Sequence, residues 1–490
     1  MTRHHYRLLR ALSLSWVLLE LPAGAIFDLP ASGPVVPELA PIEEAMTDTM
    51  VNHALGEGTI ALMKDSKLVF RQGYGWRDQN RAAIMHPDNL FRLASVSKTL
   101  TMSAIRKLIR EGKITPSTKV YSYLGIQPWR GVLGDRRIAD ITVQNLLDHR
   151  GGWTTGPTGA EAVFQSARIA KELGLNHPAT ATDVIRWKFS RPLDATPGTT
   201  NVYSNLGFQI LGRVIEKASG KPYINYIEED LLGPAVVANA IGFKNVVQSH
   251  SPPQAYAPWE VWYANAGYNY ESFDAFGGLS ASAIGLCRYM QTYWVGGERR
   301  SRASRSIRTF TFFGGLAGAS TVIYQQIKQD GVSVNGLEFA VLFNGGRALN
   351  GKAGSNDALD AVRNAVKSIT SWPSEAGGMV QWNVSITNVS HAENVTVELE
   401  RSGSSTLPVK VSYSTYPLTA GTNCYKPSSG IVTFQAGETN KPITVPILAG
   451  ASFGQNKRFL LELISASGGA WLGNRLTCVV NLTGSNFPTR

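Results

Sequence analysis

Ser95 and Lys98 lie three residues apart at the start of an amphipathic stretch, a spacing that one helical turn brings onto a single face. A hydroxyl and an amine so placed can act as nucleophile and base, provided the amine is desolvated enough to release its proton near neutral pH. The start of a helix adds backbone N–H groups and a positive dipole end, which suit a developing oxyanion. The same residues also read as a plain helix cap followed by a solvated lysine. A second cluster changes the balance. Tyr203-Ser204-Asn205 stands just ahead of another helical stretch. The Tyr203 phenol can relay a proton, and the Asn205 amide both donates and accepts, so it can orient Lys98 and a substrate.

Several elements must hold these residues. A helix is expected over Ile42–His53, then strands at Thr59–Lys64 and Lys67–Tyr74 joined by the turn Asp65-Ser66. The helix that carries Lys98 should run from Val96 to Glu111, with Leu100, Ala104, Ile105 and Leu108 on its buried face. Another helix covers Leu206–Ala218 and stops at Gly220. Strand patterns return at Ser320–Gln326 and Leu337–Asn344, and a closing helix at Asp357–Ile369 has Ser355 or Asn356 available as its cap. This order implies an α+β unit in which the first and last segments share one antiparallel sheet and a helical subdomain packs beside it. Residues 373–382 read as a linker. From 383 to 490 the pattern is all-β, with strands at Asn394–Leu399, Pro408–Ser414, Gly430–Phe434, Pro442–Leu448, Phe459–Ile464 and Thr477–Leu482, as in a small sandwich.

Composition narrows the function classes. A chain of 490 residues with 43% hydrophobic and 17% charged residues has enough apolar mass for more than one core. The formal charge of +11 is spread along the chain without a zinc-finger spacing or a long basic run, which argues against nucleic acid as a partner. Arg3, His4, His5, Arg7 and Arg10, the apolar Ala11–Leu21 and the small-residue site Ala23-Gly24-Ala25 read as a signal peptide over residues 1–25. The expected location is therefore secreted or periplasmic, with no membrane span remaining after cleavage. Three cysteines do not make a disulfide scaffold, although Cys424 and Cys478 are candidates to pair after export. No Cys/His spacing suggests a metal, and no cofactor is implied.

Ser95-Val96-Ser97-Lys98 and Tyr203-Ser204-Asn205 resemble the motifs of the class C β-lactamase, D-alanyl-D-alanine carboxypeptidase and family VIII esterase group. Leu146-Leu147-Asp148-His149-Arg150-Gly151-Gly152 and Gly277-Gly278-Leu279 are similar to two further landmarks of that group, in the same order. The resemblance covers roughly residues 35–370 and implies a β-lactamase/transpeptidase-like fold over 26–372, with Ser95 as nucleophile and Lys98 and Tyr203 activating it. The group's third element, Lys-Thr-Gly, is matched by Phe312-Phe313-Gly314-Gly315, so an aromatic residue stands where a cation would grip a substrate carboxylate. Asn205, Phe312, Gly314 and Gly315 are accordingly the expected substrate and oxyanion residues. His149 reads as a loop histidine, because no G-x-S-x-G elbow accompanies it. Aromatics such as Tyr256, Trp259, Trp262 and Tyr263 are candidates to line an acyl pocket. Val409–Leu482 resembles a Calx-β domain, but its loops Thr415–Leu418 and Ala449–Ser452 lack the carboxylates a calcium ion would need. That module is read as one for packing, adhesion or cell-envelope contact. The implied function is a secreted serine hydrolase that forms an acyl-enzyme with ester or amide substrates, D-amino acid peptides and β-lactams included, with ester cleavage favoured. The alternative is a non-catalytic cell-envelope binding protein that keeps the fold.

Overall fold

The computed structural model describes residues 29–483 apart from 34–35, 54, 77–83, 86, 88, 155–160, 233–269, 301–306, 317, 331–332, 346–352, 374–377, 390–393, 404, 449–456, 468–469, 474 and 476. The signal-peptide segment, the aromatics of 256–263 and the loop 449–452 lie outside the described residues.

The alternation of β-branched and aliphatic residues on either side of Asp65-Ser66 forms a hairpin of β2 (Glu57–Lys64) and β3 (Lys67–Gly75). Both turn residues take positive φ, 54° and 62°, the twist that a two-residue hairpin needs. The late strands β6 (Arg308–Leu316), β7 (Ala319–Asp330) and β8 (Ser333–Phe343) form a meander. With the short β1 (Ala31–Ser32) they give an antiparallel sheet of order β1-β3-β2-β8-β7-β6. The joint is β2 against β8, with Ile60 opposite Val341, so the two ends of this unit share one sheet as expected.

Side-chain alternation along β8 supplies both faces. Val341 and Phe343 pack with Ile42, Met46 and Met50 of α1 (Ala40–Asn52), whereas Ala340 and Leu342 face the core that contains Leu100, Ile105 and Leu108 of α2 (Ser97–Arg110). The intervening helices are α3 (Val120–Leu124), α4 (Val143–Leu147), α5 (Ser166–Leu173), α6 (Ala181–Phe189), α7 (Asn205–Ser219) and α8 (Ala283–Thr292). The closing helix α9 spans Gly354–Ser368. It starts earlier than expected, and neither Ser355 nor Asn356 caps it. Ser355 is buried in its first turn, and its N–H donates to Ser320 Oγ on β7 at 3.2 Å. Short β4 (Phe91–Arg92) and β5 (Ser280–Ala281) pair beside the start of α2.

The C-terminal part is a sandwich with one sheet of order β10-β17-β15-β12-β13 and a second of order β14-β11-β9-β16. Its strands are β9 (Gly378–Trp382), β10 (Ile386–Val389), β11 (Asn394–Ser402), β12 (Val409–Pro417), β13 (Ser429–Phe434), β14 (Asn440–Pro446), β15 (Lys457–Ser467), β16 (Ala470–Leu472) and β17 (Thr477–Leu482). The linker reading of 373–382 needs correcting: Gly378–Trp382 is β9, paired with β11, and Trp382 is fully buried in the sandwich core. The strand is only five residues long and is held by its pairing with the later β11, so its local period-2 signal is short. Cys424 and Cys478 stand as separate buried thiols, not as a disulfide. Among the described residues, no helix is long and apolar enough to cross a membrane.

The two parts are joined by an ion pair out of water. Arg71 Nη1 on β3 donates to Glu462 Oε1 on β15 at 2.6 Å, each side chain is 2% exposed, and Arg71 Nη2 also bonds Leu463 O. Leu472 packs against the cores of both parts. Removing one partner of such a pair takes a charge-assisted bond from a charge held out of water, whereas replacing both partners by apolar groups is far better tolerated. Arg71→Met is expected to lower the unfolding free energy by about 3–5 kcal/mol, and Arg71→Met with Glu462→Leu to recover most of that loss. Urea unfolding of the three proteins checks both.

Candidate active site

Ser95 sits in a 3-10 turn, Ala94–Val96, that leads directly into α2. Ala94 takes φ 47°, a left-handed conformation that costs an alanine about 1–3 kcal/mol and persists only when its surroundings enforce it. They do so from two sides. Leu93 N–H donates to Leu279 O at 2.8 Å, and Thr321 Oγ1 donates to Leu93 O at 2.9 Å. No side chain caps α2, so the plain helix-cap reading of Ser95 does not hold.

One turn on, Lys98 is fully buried. Its Nζ donates to Ser95 Oγ at 3.0 Å, to Asn205 Oδ1 at 2.6 Å and to Phe276 O at 2.8 Å. The rings of Tyr203, Phe208 and Phe276 close around it, with centroids 4.8, 5.7 and 5.5 Å from Nζ. All three acceptors are neutral. Burial therefore pushes the amine down to about 7, against the upward pull of the Glu161 carboxylate.

The Tyr203 hydroxyl donates to Ser95 Oγ at 2.7 Å, so the hydroxyl of Ser95 is met from two directions. Burial holds the phenol up at about 12, which keeps it protonated at neutral pH. Asn205 is the first residue of α7, whose start is capped by Ser204 Oγ accepting from Gly207 N–H at 3.2 Å. His149, at φ 54° after α4, stacks on Tyr203 with ring centroids 4.6 Å apart. Its Nδ1 accepts from Ser204 N–H at 3.1 Å, and its carbonyl accepts from Val202 N–H at 2.9 Å. Burial and the nearby Lys98 charge lower His149 to about 4, so it is a neutral clamp on the tyrosine loop rather than a base.

Sequence reasoning missed Glu161. Its Oε1 accepts from Asn205 N–H at 2.7 Å and its Oε2 from Asn205 Nδ2. No spacing marks it, since 44 residues separate the two and its own segment has no periodic pattern.

The third element lies on the edge strand β6. Gly314 is buried against the Ala94–Val96 turn, and a Cβ there would stand 2.2 Å from Leu93 O and 3.2 Å from Ala94 Cβ. Gly315 is exposed, and a Cβ there would meet open space. Phe312, on the same strand face as Gly314, packs at the margin of the core that contains Leu93 and Val96. The structure thus gathers Ser95, Lys98, Tyr203 and Asn205 by direct hydrogen bonds and sets Gly314 against their turn.

An antiparallel sheet and a helical region that meet at a Ser-Lys-Tyr cluster make up the β-lactamase/transpeptidase-like fold. The chain belongs to the beta-lactamase family, whose profile matches residues 42–345, and a Calx-beta domain profile matches residues 377–482. Esterase EstB of Burkholderia gladioli is 28% identical over 221 residues, covering 44% of this chain and 53% of that protein. An N-acetylmuramyl-L-alanine amidase of Bacillus subtilis is 28% identical over 228 residues, covering 44% of this chain and 49% of that protein. The chain thus spans about half the length of these curated relatives. D-amino acid amidase of Ochrobactrum anthropi SV3, solved with L-phenylalanine, superposes with a TM-score of 0.51 at 15% identity, covering 68% of this chain and 99% of that one; this likeness concerns the fold.

Gly314→Ala is expected to destabilise the protein by about 1–3 kcal/mol through overpacking and to displace the Ala94–Ser95 turn. Thermal unfolding and a crystal structure of the variant measure the two effects.

Proposed function

We propose that the protein is a serine hydrolase that works through an acyl-enzyme and prefers neutral esters. The observation that carries this reading is the convergence of Lys98 Nζ and Tyr203 OH on Ser95 Oγ. With its amine near 7, about half of Lys98 is neutral at pH 7 and can take the Ser95 proton. The freed oxygen attacks the substrate carbonyl carbon, and the carbonyl oxygen becomes an oxyanion. The N–H groups of Ser95 and Gly315 are the proposed donors to it. Tyr203, which stays protonated, gives its proton to the leaving oxygen or nitrogen as the bond to the acyl carbon breaks. Lys98 ammonium then restores the phenol. Water then attacks the acyl carbon as it loses a proton to Lys98, the bond from that carbon to Ser95 Oγ breaks, and Lys98 returns the proton to Ser95 as the acid leaves.

The preference for neutral esters rests on two features. Phe312 stands where a carboxylate-gripping cation would be, and the Glu161 carboxylate lies beside Asn205 and disfavours anionic acyl groups. The resemblance to an esterase supports ester cleavage, and the resemblance to amidases keeps amides within the same chemistry. Export is part of the proposal and rests on the basic and apolar segments of residues 3–21.

Intact-mass analysis after incubation with a fluorophosphonate, a short-chain p-nitrophenyl ester and a penicillin is the direct test. A phosphonyl adduct on Ser95, ester turnover and no lasting penicilloyl adduct are the expected results. A stable penicilloyl adduct would shift the reading to a peptidase, and an unlabelled, inactive protein would leave the binding-protein alternative. Ser95→Ala should abolish labelling and turnover. Because the base must be neutral, kcat/KM should rise with pH through about 7 and level off above it, as a pH–rate profile will record.

A further inference from the structure

The Asn205 amide has two ends of nearly equal size and opposite chemistry, and only one arrangement suits the site. Oδ1 must face Lys98, because an –NH2 turned toward an ammonium would present donor to donor. The orientation therefore needs something that attracts the –NH2 end and repels the oxygen end. Glu161 does this with one carboxylate oxygen and is itself held by the other. Oε2 accepts from Asn205 Nδ2, and Oε1 accepts from the Asn205 backbone N–H at 2.7 Å, one of the first N–H groups of α7, which have no partner within the helix. A carboxylate has no proton to donate, so the amide cannot turn over without losing its bond to Glu161 and facing Lys98 with hydrogens.

We propose that Glu161 is a positioning residue for the Ser95–Lys98 centre, locking the Asn205 amide with its oxygen on Lys98 and thereby setting both the place and the proton affinity of the amine. The proposal rests on the catalytic reading above. Through the amide the charge runs in the order carboxylate, amide dipole, ammonium, with the negative end away from Ser95. The groups that face Lys98 are few. Ser95 comes from its own turn, Asn205 and Phe208 from α7, Tyr203 and neutral His149 from the loops beside it, and Phe276 O from the segment 274–278. Asp274, the acidic residue of that last segment, is occupied by Arg213. Among the described residues, Glu161 is thus the carboxylate that counters the burial of Lys98, and its upward pull on the amine is the sign that this placement requires.

Glu161→Gln keeps the size of the side chain but turns one of its two acceptors into a donor, and Glu161→Asp keeps the charge with a shorter reach. In full-length protein, Glu161→Gln should lower the plateau of kcat/KM for the p-nitrophenyl ester, and the rate of fluorophosphonate labelling, by about 10- to 100-fold. It should also move the acid limb of the profile to lower pH, because the group that raises the Lys98 proton affinity is gone. Glu161→Asp should return the limb toward its parent position with part of the rate. The Lys98 Cε resonance in 13C-lysine-labelled protein, assigned by its loss in Lys98→Arg, should titrate at lower pH in Glu161→Gln. That titration needs no turnover, so it tests Glu161 even if the parent proves inactive and the hydrolase reading fails. A Lys98 titration unmoved by Glu161→Gln overturns the proposal, including the case in which activity and thermal stability fall together.

Discussion

Everything at this site follows from putting an ammonium where water cannot reach it. A lone charge so buried is prohibitively costly, and the usual remedy, a carboxylate in direct contact, would hold the proton on the amine. Here the three direct partners are a serine hydroxyl, an amide oxygen and a backbone carbonyl. They satisfy the amine's hydrogens without supplying a full opposing charge, so its proton is held loosely. The surrounding architecture serves that compromise. α2 carries the lysine, the head of α7 brings the amide, and the segment 274–278 turns a carbonyl inward. The aromatic rings then exclude water from the remaining sides.

Such a site belongs to no local segment. Tyr203 reaches Ser95 across 108 residues, Phe276 reaches Lys98 across 178, and Thr321 reaches Leu93 across 228. The Ala94–Val96 turn is also strained, so it forms only when β6 and β7 press against it. The turn in turn needs the sheet, and the sheet needs β8 to find β2 from the far end of the unit. Contacts of such sequence separation make for slow folding.

What the chain itself discloses follows the same divide. The convergence of Ser95-x-x-Lys98 and Tyr203-x-Asn205 could be anticipated because each motif is a matter of residue type at short spacing, and the hairpin at Asp65-Ser66 because its alternation is local. The sheet's closure could be read from the order of strands and helices. Glu161 could not, since nothing short-range distinguishes a carboxylate that clamps an amide from one on a wet loop. Gly314 was expected near an oxyanion, and the structure gives it a steric duty as well, as the residue that lets β6 touch the turn. β9 was hidden in a stretch that looked like a connector, because the burial of Trp382 depends on a partner strand, β11, that comes later in the chain.

The Arg71–Glu462 contact has a consequence for how this chain can be altered. If the whole sandwich were excised, Arg71 would return to solvent and regain its hydration, so the deletion carries little electrostatic penalty. A point change at Glu462 is different, since it keeps the lid in place and takes from the enclosed Arg71 its short carboxylate contact. On electrostatic grounds alone, the loss of about a hundred residues at this seam should therefore cost less than the loss of one carboxylate.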